Sequence, residues 1–341
     1  MAPGRGGASA SGKRRRTDVA CRVHADSEEE ESVSPRDKNV VGERLLRRPS
    51  AVLPALAQKT RLNDGRLMPL VGLGVYRVPR GRNCYNAVKW ALERGYRLID
   101  TAAMYQNEGD VGRALRDSAV PRGDVWVTTK ILPRDHGRER ARDAGLRSLK
   151  TLGLDYVDLL LIHSPTGGKI VETWDALHAL RQEGHARSIG VSNFGPQHLA
   201  ALEAHRPESP AAVNQIEMHP LVYTERQETI AACRRSGILL QAYGSLFSGS
   251  SRHLRSRQVQ LPAKMHGKTA ALVLLRWALQ LGFAIIPKSS RHERVRENAD
   301  LDGFALSDVE MDALCGMSGD LGEYWNPLTS KVDLGDVRRR G

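Results

Sequence analysis

The chain has 341 residues, of which 40% are hydrophobic and 26% are charged, as in soluble globular proteins. None of its apolar runs approaches the roughly 20 residues that a membrane-spanning helix needs, so no membrane association is expected. The formal net charge of +12 could indicate nucleic-acid binding, but acids are interleaved with most arginines, as in 138–150. That pattern is typical of a solvated helix face, and we therefore expect no nucleic-acid partner.

The first 57 residues differ in composition from the rest. A basic stretch at 12–16 is followed by an acidic run at 26–32, with no visible strand or helix period. Because such a segment cannot bury enough apolar surface to offset the entropy of ordering, we predict a disordered extension over 1–57 and a folded domain, with a C-terminal tail, over 58–341. The lack of a secretory signal and four widely spaced cysteines favour reduced thiols and a cytoplasmic location, although the basic stretch leaves nuclear or organellar targeting open.

From residue 58 onward, short apolar runs alternate with amphipathic stretches. The first two runs flank Asn63-Asp64-Gly65, which is typical of a β-hairpin turn. Helical patterns such as 83–95 and 170–184 end at a glycine that suits a helix C-cap. Eight further strands are predicted, at 70–76, 96–102, 124–130, 156–164, 186–193, 211–219, 237–245 and 283–290. This alternation predicts an α/β fold, a (β/α)8 TIM barrel with an N-terminal hairpin; an open doubly wound sheet is the alternative.

Polar side chains stand at the C-terminal ends of the predicted strands, where a barrel of this kind carries its chemistry. In chain order they are Tyr76, Asp100, Lys130, His163, Ser192 with Asn193, Gln215, Tyr243, and Lys288 with Ser289. Such groups are costly to bury without partners. Their recurrence at corresponding positions of a repeating unit favours one functional rim over helix and turn capping alone.

Four residues near this rim could act together as a proton donor. Tyr105 follows Asp100 by five positions, and a free tyrosine, with a pKa of about 10, is a weak acid at neutral pH. The ammonium of Lys130 is expected to lower that pKa, and the Asp100 carboxylate to hold the ammonium in place. A neutral His163 could donate a ring N–H to a carbonyl substrate. Taken singly, these residues could equally form a buried salt bridge and a core histidine.

Three longer motifs resemble the signatures of the aldo-keto reductase family, in the family's order. Segment 95–115 is similar to the first signature and includes its aspartate and tyrosine; 152–165 is similar to the second and includes its histidine; 286–298 is similar to the third, the cofactor segment. The resemblance covers residues 59–330 and is greatest to the small, short-loop members of broad substrate range. It implies a catalytic tetrad of Asp100, Tyr105, Lys130 and His163.

The resemblance also implies NADPH as cofactor, because no side chain can supply the hydride that carbonyl reduction requires. By the same resemblance, Ser192, Asn193 and Gln215 hold the carboxamide, and Tyr243 stacks on the nicotinamide ring. The segment after Tyr243 departs from the family's usual Ser-Pro-Leu, so the pyrophosphate contacts are expected from Ser245 and Leu246 or their backbone. The resemblance assigns the adenosine 2′-phosphate to Lys288, Ser289 and Arg294. It assigns the adenine to Glu297 and Asn298.

Three rim positions that are often tryptophan in the family are Tyr76, Leu132 and Ser164 in this chain. We expect these residues and His163 to contact a small-molecule carbonyl substrate in a roomier, less aromatic pocket, and we expect a monomer. The predicted activity is reduction of aldehydes and ketones to alcohols with Tyr105 as general acid. The alternatives are a non-catalytic NADPH-binding regulatory subunit and a lyase or aldolase that uses Lys130 as a Schiff base. The last leaves 286–298 without a role.

Overall fold

The computed structural model of the chain describes residues 54–319 and 326–335. Most of the predicted disordered extension therefore lies outside the described residues. Its last four positions belong to the ordered part of the chain: Ala55–Ala57 form a 3-10 turn, Ala55 is buried, and the Ala55 N–H donates to Asp302 Oδ1 at 2.9 Å.

The predicted hairpin consists of two antiparallel strands, β1 (Lys59–Arg61) and β2 (Leu67–Pro69). Eight parallel strands follow and pair in sequence order: β3 (Leu73–Gly74), β4 (Leu98–Asp100), β5 (Trp126–Ile131), β6 (Val157–Ile162), β7 (Ala186–Ser192), β8 (Val213–Glu217), β9 (Leu239–Tyr243) and β10 (Ala284–Ile285). The first and last of them are joined by hydrogen bonds from Gly72 N to Ile285 O at 2.9 Å and from Gly74 N to Pro287 O at 3.1 Å. This sequential parallel order and closure confirm the barrel and exclude the doubly wound sheet.

Twelve α-helices are present in the described part of the chain. They are α1 (Arg82–Arg94), α2 (Glu108–Arg116), α3 (Arg138–Leu152), α4 (Ile170–Gln182), α5 (Pro196–His205), α6 (Pro220–Tyr223), α7 (Gln227–Arg235), α8 (Ser251–Leu254), α9 (Arg257–Met265), α10 (Ala270–Gln280), α11 (His292–Glu297) and α12 (Asp308–Cys315). The predicted cap after α1 is confirmed, since Gly95 has a left-handed φ of 106°.

The hairpin closes the N-terminal end of the barrel. Leu62 and Met68 are buried against apolar side chains of the barrel strands. The turn is fixed by two polar contacts: Ser188 Oγ donates to Asp64 Oδ2 at 2.6 Å, and Asn63 Nδ2 donates to Ala211 O at 2.8 Å. With this end covered, the C-terminal ends of the strands form the open mouth where the chemistry of such barrels lies.

Two sequence-based expectations concern compartment and membrane. Cys84 and Cys233 are free and buried, which agrees with the expectation of reduced thiols for these two residues. Among the residues that the structure describes, no helix has the length and apolar character needed to cross a membrane.

Candidate active site

The polar residues predicted at the strand ends lie at the C-terminal end of the barrel. Asp100 is the last residue of β4, Ser192 of β7 and Tyr243 of β9, while His163 directly follows β6. Lys130 is the penultimate residue of β5. Parallel pairing aligns these strand ends, so residues that are distant in sequence become neighbours around one mouth.

Lys130 links the barrel strands to the loop that carries Tyr105. Its ammonium is completely buried and donates to Asp100 Oδ1 at 2.7 Å, to Thr101 O at 2.9 Å and to the Tyr105 hydroxyl at 3.2 Å. Three contacts use the full donor capacity of an ammonium group. The Asp100–Lys130 pair is therefore more than an isolated buried salt bridge, because its third contact reaches a phenol.

The loop between β4 and α2 holds Tyr105 in place. Asn107, at the end of this loop, ties it to its start and to the residue after β3: its Oδ1 accepts from Thr101 Oγ1 at 2.8 Å, and its Nδ2 donates to Val75 O at 3.0 Å. Between these anchors, Ala103–Tyr105 form a single 3-10 turn. The Tyr105 ring packs against that of Tyr76, with centroids 4.9 Å apart.

The ionisation of Tyr105 differs from the expectation drawn from the sequence. Burial, followed by the charge of Asp100, holds the pKa of Tyr105 well above its usual value. Burial also lowers the pKa of Lys130, although the Asp100 carboxylate opposes this effect. The net shift is therefore upward, opposite to the lowering that the sequence led us to expect from Lys130, because desolvation of a phenolate outweighs the nearby ammonium. Tyr105 is a neutral phenol at neutral pH, which is the form able to donate a proton.

His163 faces Tyr105 across the mouth. The two rings meet edge-on with centroids 5.8 Å apart. Burial, and then the positive charges of Lys130 and His136, lower the pKa of His163 to about 3. The imidazole is consequently neutral at neutral pH, as the sequence analysis assumed, and a neutral ring can donate one N–H to a carbonyl oxygen.

The residues assigned to the carboxamide form a connected network at the ends of β7, β8 and β9. Ser192 Oγ donates to Gln215 O at 2.8 Å, and Asn193 Nδ2 donates to His163 O at 3.0 Å. The Tyr243 hydroxyl donates to Asn193 Oδ1 at 2.7 Å. The structure thus brings these four residues together beside His163.

Two buried polar residues near the candidate site were not singled out from the sequence. Gln241, one layer inside the mouth on β9, accepts a hydrogen bond from Gln215 Nε2 at 2.7 Å. Glu108, at the start of α2, accepts from Thr129 Oγ1 at 2.6 Å, and burial raises the pKa of its carboxyl group. Gln241 lies in an apolar stretch of the sequence, and Glu108 lies close to the motif residue Tyr105. Only burial in the folded protein distinguishes these two side chains from solvated ones.

Positive charge gathers where β10 leads into α11. Lys288 has a lowered pKa, caused first by burial and then by the positive charges of Arg77 and Arg294. Three cations that act on one another fit a multiply charged anion such as a phosphate. The sequence analysis did not identify Arg77, whose one signal in the sequence is that it directly follows the rim residue Tyr76. In the structure, the Arg77 guanidinium lies 5.3 Å from the centroid of the Tyr76 ring.

The other residues of this segment are placed as follows. Ser289 is buried, and its hydroxyl accepts from Arg291 N at 3.1 Å, which shapes the turn into α11. Arg294 is exposed on that helix, Glu297 is its last residue and half-buried, and Asn298 is buried directly after it. The whole predicted set therefore lies within one turn-and-helix segment.

The segment after β9 and the predicted substrate wall are less uniform. Ser245 is buried with its Oγ 3.5 Å from Ala242 O, and Leu246 is half-buried. Among the residues predicted to line the substrate pocket, Tyr76 is 41% exposed, whereas Leu132 and Ser164 are buried.

Two further details concern that wall. The Ser164 hydroxyl accepts from Thr166 N at 3.2 Å, so it caps the following turn. Met104, missed in the sequence although it directly precedes Tyr105, is 47% exposed.

Comparison with known proteins gives the family. The model of the aldo/keto reductase family matches residues 72–317. An aldo-keto reductase of Mycobacterium sp. (strain MCS) is 46% identical over 259 residues, which cover 75% of this chain and 89% of that protein. This chain belongs to the aldo/keto reductase family. It is accordingly an oxidoreductase, and the recognition made from the three motifs is confirmed.

Two other members of the aldo/keto reductase family add detail. The glyoxal reductase of Bacillus subtilis is 40% identical over 266 residues, 78% of this chain and 95% of that protein. The crystal structure of a Bombyx mori aldo-keto reductase in complex with NADP superimposes with a TM-score of 0.70 at 35% identity, covering 76% of this chain and 92% of the other. These relatives support a nicotinamide cofactor, and none of them supports a non-catalytic role.

Proposed function

We propose that this aldo-keto reductase reduces small aldehydes and ketones to alcohols with NADPH, and that Tyr105 is the general acid. The observation that carries the proposal is the position of the fully buried Lys130 ammonium, 2.7 Å from Asp100 Oδ1 and 3.2 Å from the Tyr105 hydroxyl. A lone salt bridge would not need the second contact.

The residues of this site have complementary roles in the proposed reaction. The Tyr105 hydroxyl transfers its proton to the carbonyl oxygen as the carbonyl carbon accepts a hydride. Lys130 stabilises the phenolate that forms, and Asp100 fixes the ammonium for that task. The neutral His163 orients the carbonyl by donating a ring N–H. Because burial raises the Tyr105 pKa in the free protein, stabilisation by Lys130 is needed at the moment of proton transfer, when the negative charge develops.

The chemistry of the rim residues fits a phosphorylated nicotinamide cofactor. NADPH supplies the hydride when it is bound. Ser192, Asn193 and Gln215 would hold its carboxamide, and Tyr243 would stack on its ring. Lys288, Ser289 and Arg294, together with Arg77, would bind phosphate, while Glu297 and Asn298 would contact the adenine.

The substrate is proposed as a small carbonyl compound, in line with the glyoxal reductase named above. Tyr76, Leu132 and Ser164 would line its pocket, of which Tyr76 offers the largest exposed surface. Two further proposals, a monomeric state and a cytoplasmic location, rest on the family resemblance and on the free, buried thiols of Cys84 and Cys233. The regulatory-subunit alternative is disfavoured because it assigns no role to the Lys130–Tyr105 contact.

The decisive experiment replaces Tyr105 by phenylalanine. We expect Tyr105→Phe to lower turnover of a small aldehyde by about 10²–10⁴-fold, the usual loss on removing one general acid. NADPH binding, followed by fluorescence quenching, should stay within a few fold, because the phenol does not hold the cofactor. Tyr85→Phe is the matched control, since the Tyr85 hydroxyl donates to Asp117 on the surface. Near-normal turnover in Tyr105→Phe would refute the general-acid assignment.

A further inference from the structure

Gln215 joins the carboxamide network of Ser192, Asn193 and Tyr243 to the Asp100–Lys130–Tyr105 chain, and its amide has a definite polarity. Its Nε2 donates to Asp100 Oδ2 at 2.7 Å and to Gln241 Oε1 at 2.7 Å. A primary amide nitrogen has two hydrogens, so both are used by these two acceptors. The remaining polar atom of the side chain, Gln215 Oε1, is an acceptor.

The two acceptors, Asp100 and Gln241, constrain the Gln215 amide in different ways. Asp100 is paired with the buried Lys130 ammonium, and a carboxylate in such a pair offers only acceptor atoms. This contact alone makes the Gln215 nitrogen face Asp100, but a single hydrogen bond leaves the amide plane free to rotate about it. The second contact, to Gln241, removes that rotation.

Gln241 is suited to this task by its own surroundings. It is completely buried in β9, and its strand neighbour in the parallel ladder is Gln215 itself. Its Oε1 is committed to Gln215, whereas its Nε2 is buried with no hydrogen-bond partner among the residues described. A buried amide with one half unpartnered costs stability, so an apolar residue would pack here at lower cost unless the acceptor has a use.

We propose that Gln241 is a positioning residue that fixes the plane of the Gln215 amide, so that Gln215 Oε1, the polar atom that the Asp100 contact leaves free, is presented to the NH2 group of the cofactor carboxamide. The inference rests on the proposed function, because it assumes that Gln215 meets the nicotinamide carboxamide. It adds the polarity of that contact, which Asp100 sets, and the residue that holds the amide plane in place. Gln241 itself touches neither substrate nor cofactor in this arrangement.

The test compares NADP⁺ with its 3-acetylpyridine analogue, in which a methyl group replaces the carboxamide NH2. Dissociation constants are measured by quenching of intrinsic fluorescence in the full-length protein. The wild type should bind NADP⁺ about threefold to tenfold more tightly than the analogue, the range expected for one neutral hydrogen bond. In Gln241→Leu this preference should fall to within about twofold of unity. Gln241→Glu retains an acceptor oxygen and should keep most of the preference.

The ratio of the two dissociation constants separates positioning from general support of the fold. If Gln241→Leu weakens both ligands equally and leaves the ratio unchanged, Gln241 is merely structural and the inference is overturned; a wild type without the preference overturns it as well. Gln241→Met, which is closer in shape, replaces the leucine variant if that protein does not fold. A wild type that binds NADP⁺ but reduces no aldehyde would refute the proposed function, while the binding ratios would still decide the role of Gln241.

Discussion

At the scale of single residues, the proposed preference for NADPH rests on three cations, Lys288, Arg77 and Arg294. NADPH and NADH differ by one phosphate, and the charges that act on Lys288 are those of Arg77 and Arg294. Sequence reasoning found Lys288 and Arg294 because they lie in one motif. It did not find Arg77, which is more than 200 positions away along the chain and joins the cluster only when β3 and β10 close the barrel.

Replacing Arg294 tests this cluster. Arg294→Ala should raise the KM for NADPH about tenfold or more, the usual effect of losing one charge-assisted hydrogen bond, and should change the KM for NADH little. Higher salt should reduce the NADPH preference of the wild type, because exposed charges are screened. Arg296→Ala is the control, since Arg296 is exposed on the same helix but is not among the charges that lower the pKa of Lys288. Equal weakening of both cofactors by Arg294→Ala would place the phosphate elsewhere.

At the scale of elements, the packing of α2 on α3 depends on a glycine. A Cβ added to Gly112, in the middle of α2, would overlap the backbone carbonyl of Leu152 at the end of α3. The loop held by Asn107, which carries the proposed general acid Tyr105, directly precedes α2. The close approach of α2 and α3 fixes the position of the helix that follows this loop.

Two alanine substitutions on α2 measure the importance of this approach. Gly112→Ala should destabilise the protein by about 1–3 kcal/mol, because backbone must move to relieve the overlap. Gly109→Ala, on the same helix, would place its Cβ 3.7 Å from Thr151 O, an ordinary contact. It should be neutral or slightly stabilising, since alanine is the better helix former. Urea unfolding of both variants is the measurement, and equal stabilities would contradict the close helix contact.

The strand boundaries show where pattern reasoning at this scale stops. The apolar runs predicted eight barrel strands at the correct places, but β3 and β10 are only two residues long, against seven and eight predicted. Pro287 lacks a backbone N–H and cannot continue the ladder. Gly74 is required because a Cβ there would lie 2.8 Å from Ile286 O of the closing strand. Hydrophobicity indicates burial, whereas ladder length depends on the neighbouring strand.

For the molecule as a whole, the start of the folded domain can be tested by truncation. Residues 1–53 have blocks of opposite charge and little apolar surface, so their deletion should leave Tm and turnover almost unchanged. Deletion of 1–57 should lower Tm by about 3–6 °C, since it also removes buried Ala55, its hydrogen bond to Asp302 and the packing of Leu56. Equal melting of the two truncated proteins would show that the Ala55–Ala57 turn contributes nothing. A drop with 1–53 alone would show that the extension stabilises the barrel.

The sequence alone was enough to derive the order of the eight strand–helix units and the hairpin turn. It was also enough to place Asp100, Lys130 and His163 at strand ends. This is so because apolar periodicity and turn residues are local, and because parallel strands place their C-terminal ends at one mouth wherever the helices lie. Three features could not be derived from the sequence: the contacts of Gln241, the effect of the Arg77 charge on Lys288, and the upward shift of the Tyr105 pKa. Each depends on burial and on distances of a few ångströms between residues far apart in the chain, and desolvation, which reversed the expected pKa shift, is a property of all the neighbours together. Those neighbours exist only in the closed barrel.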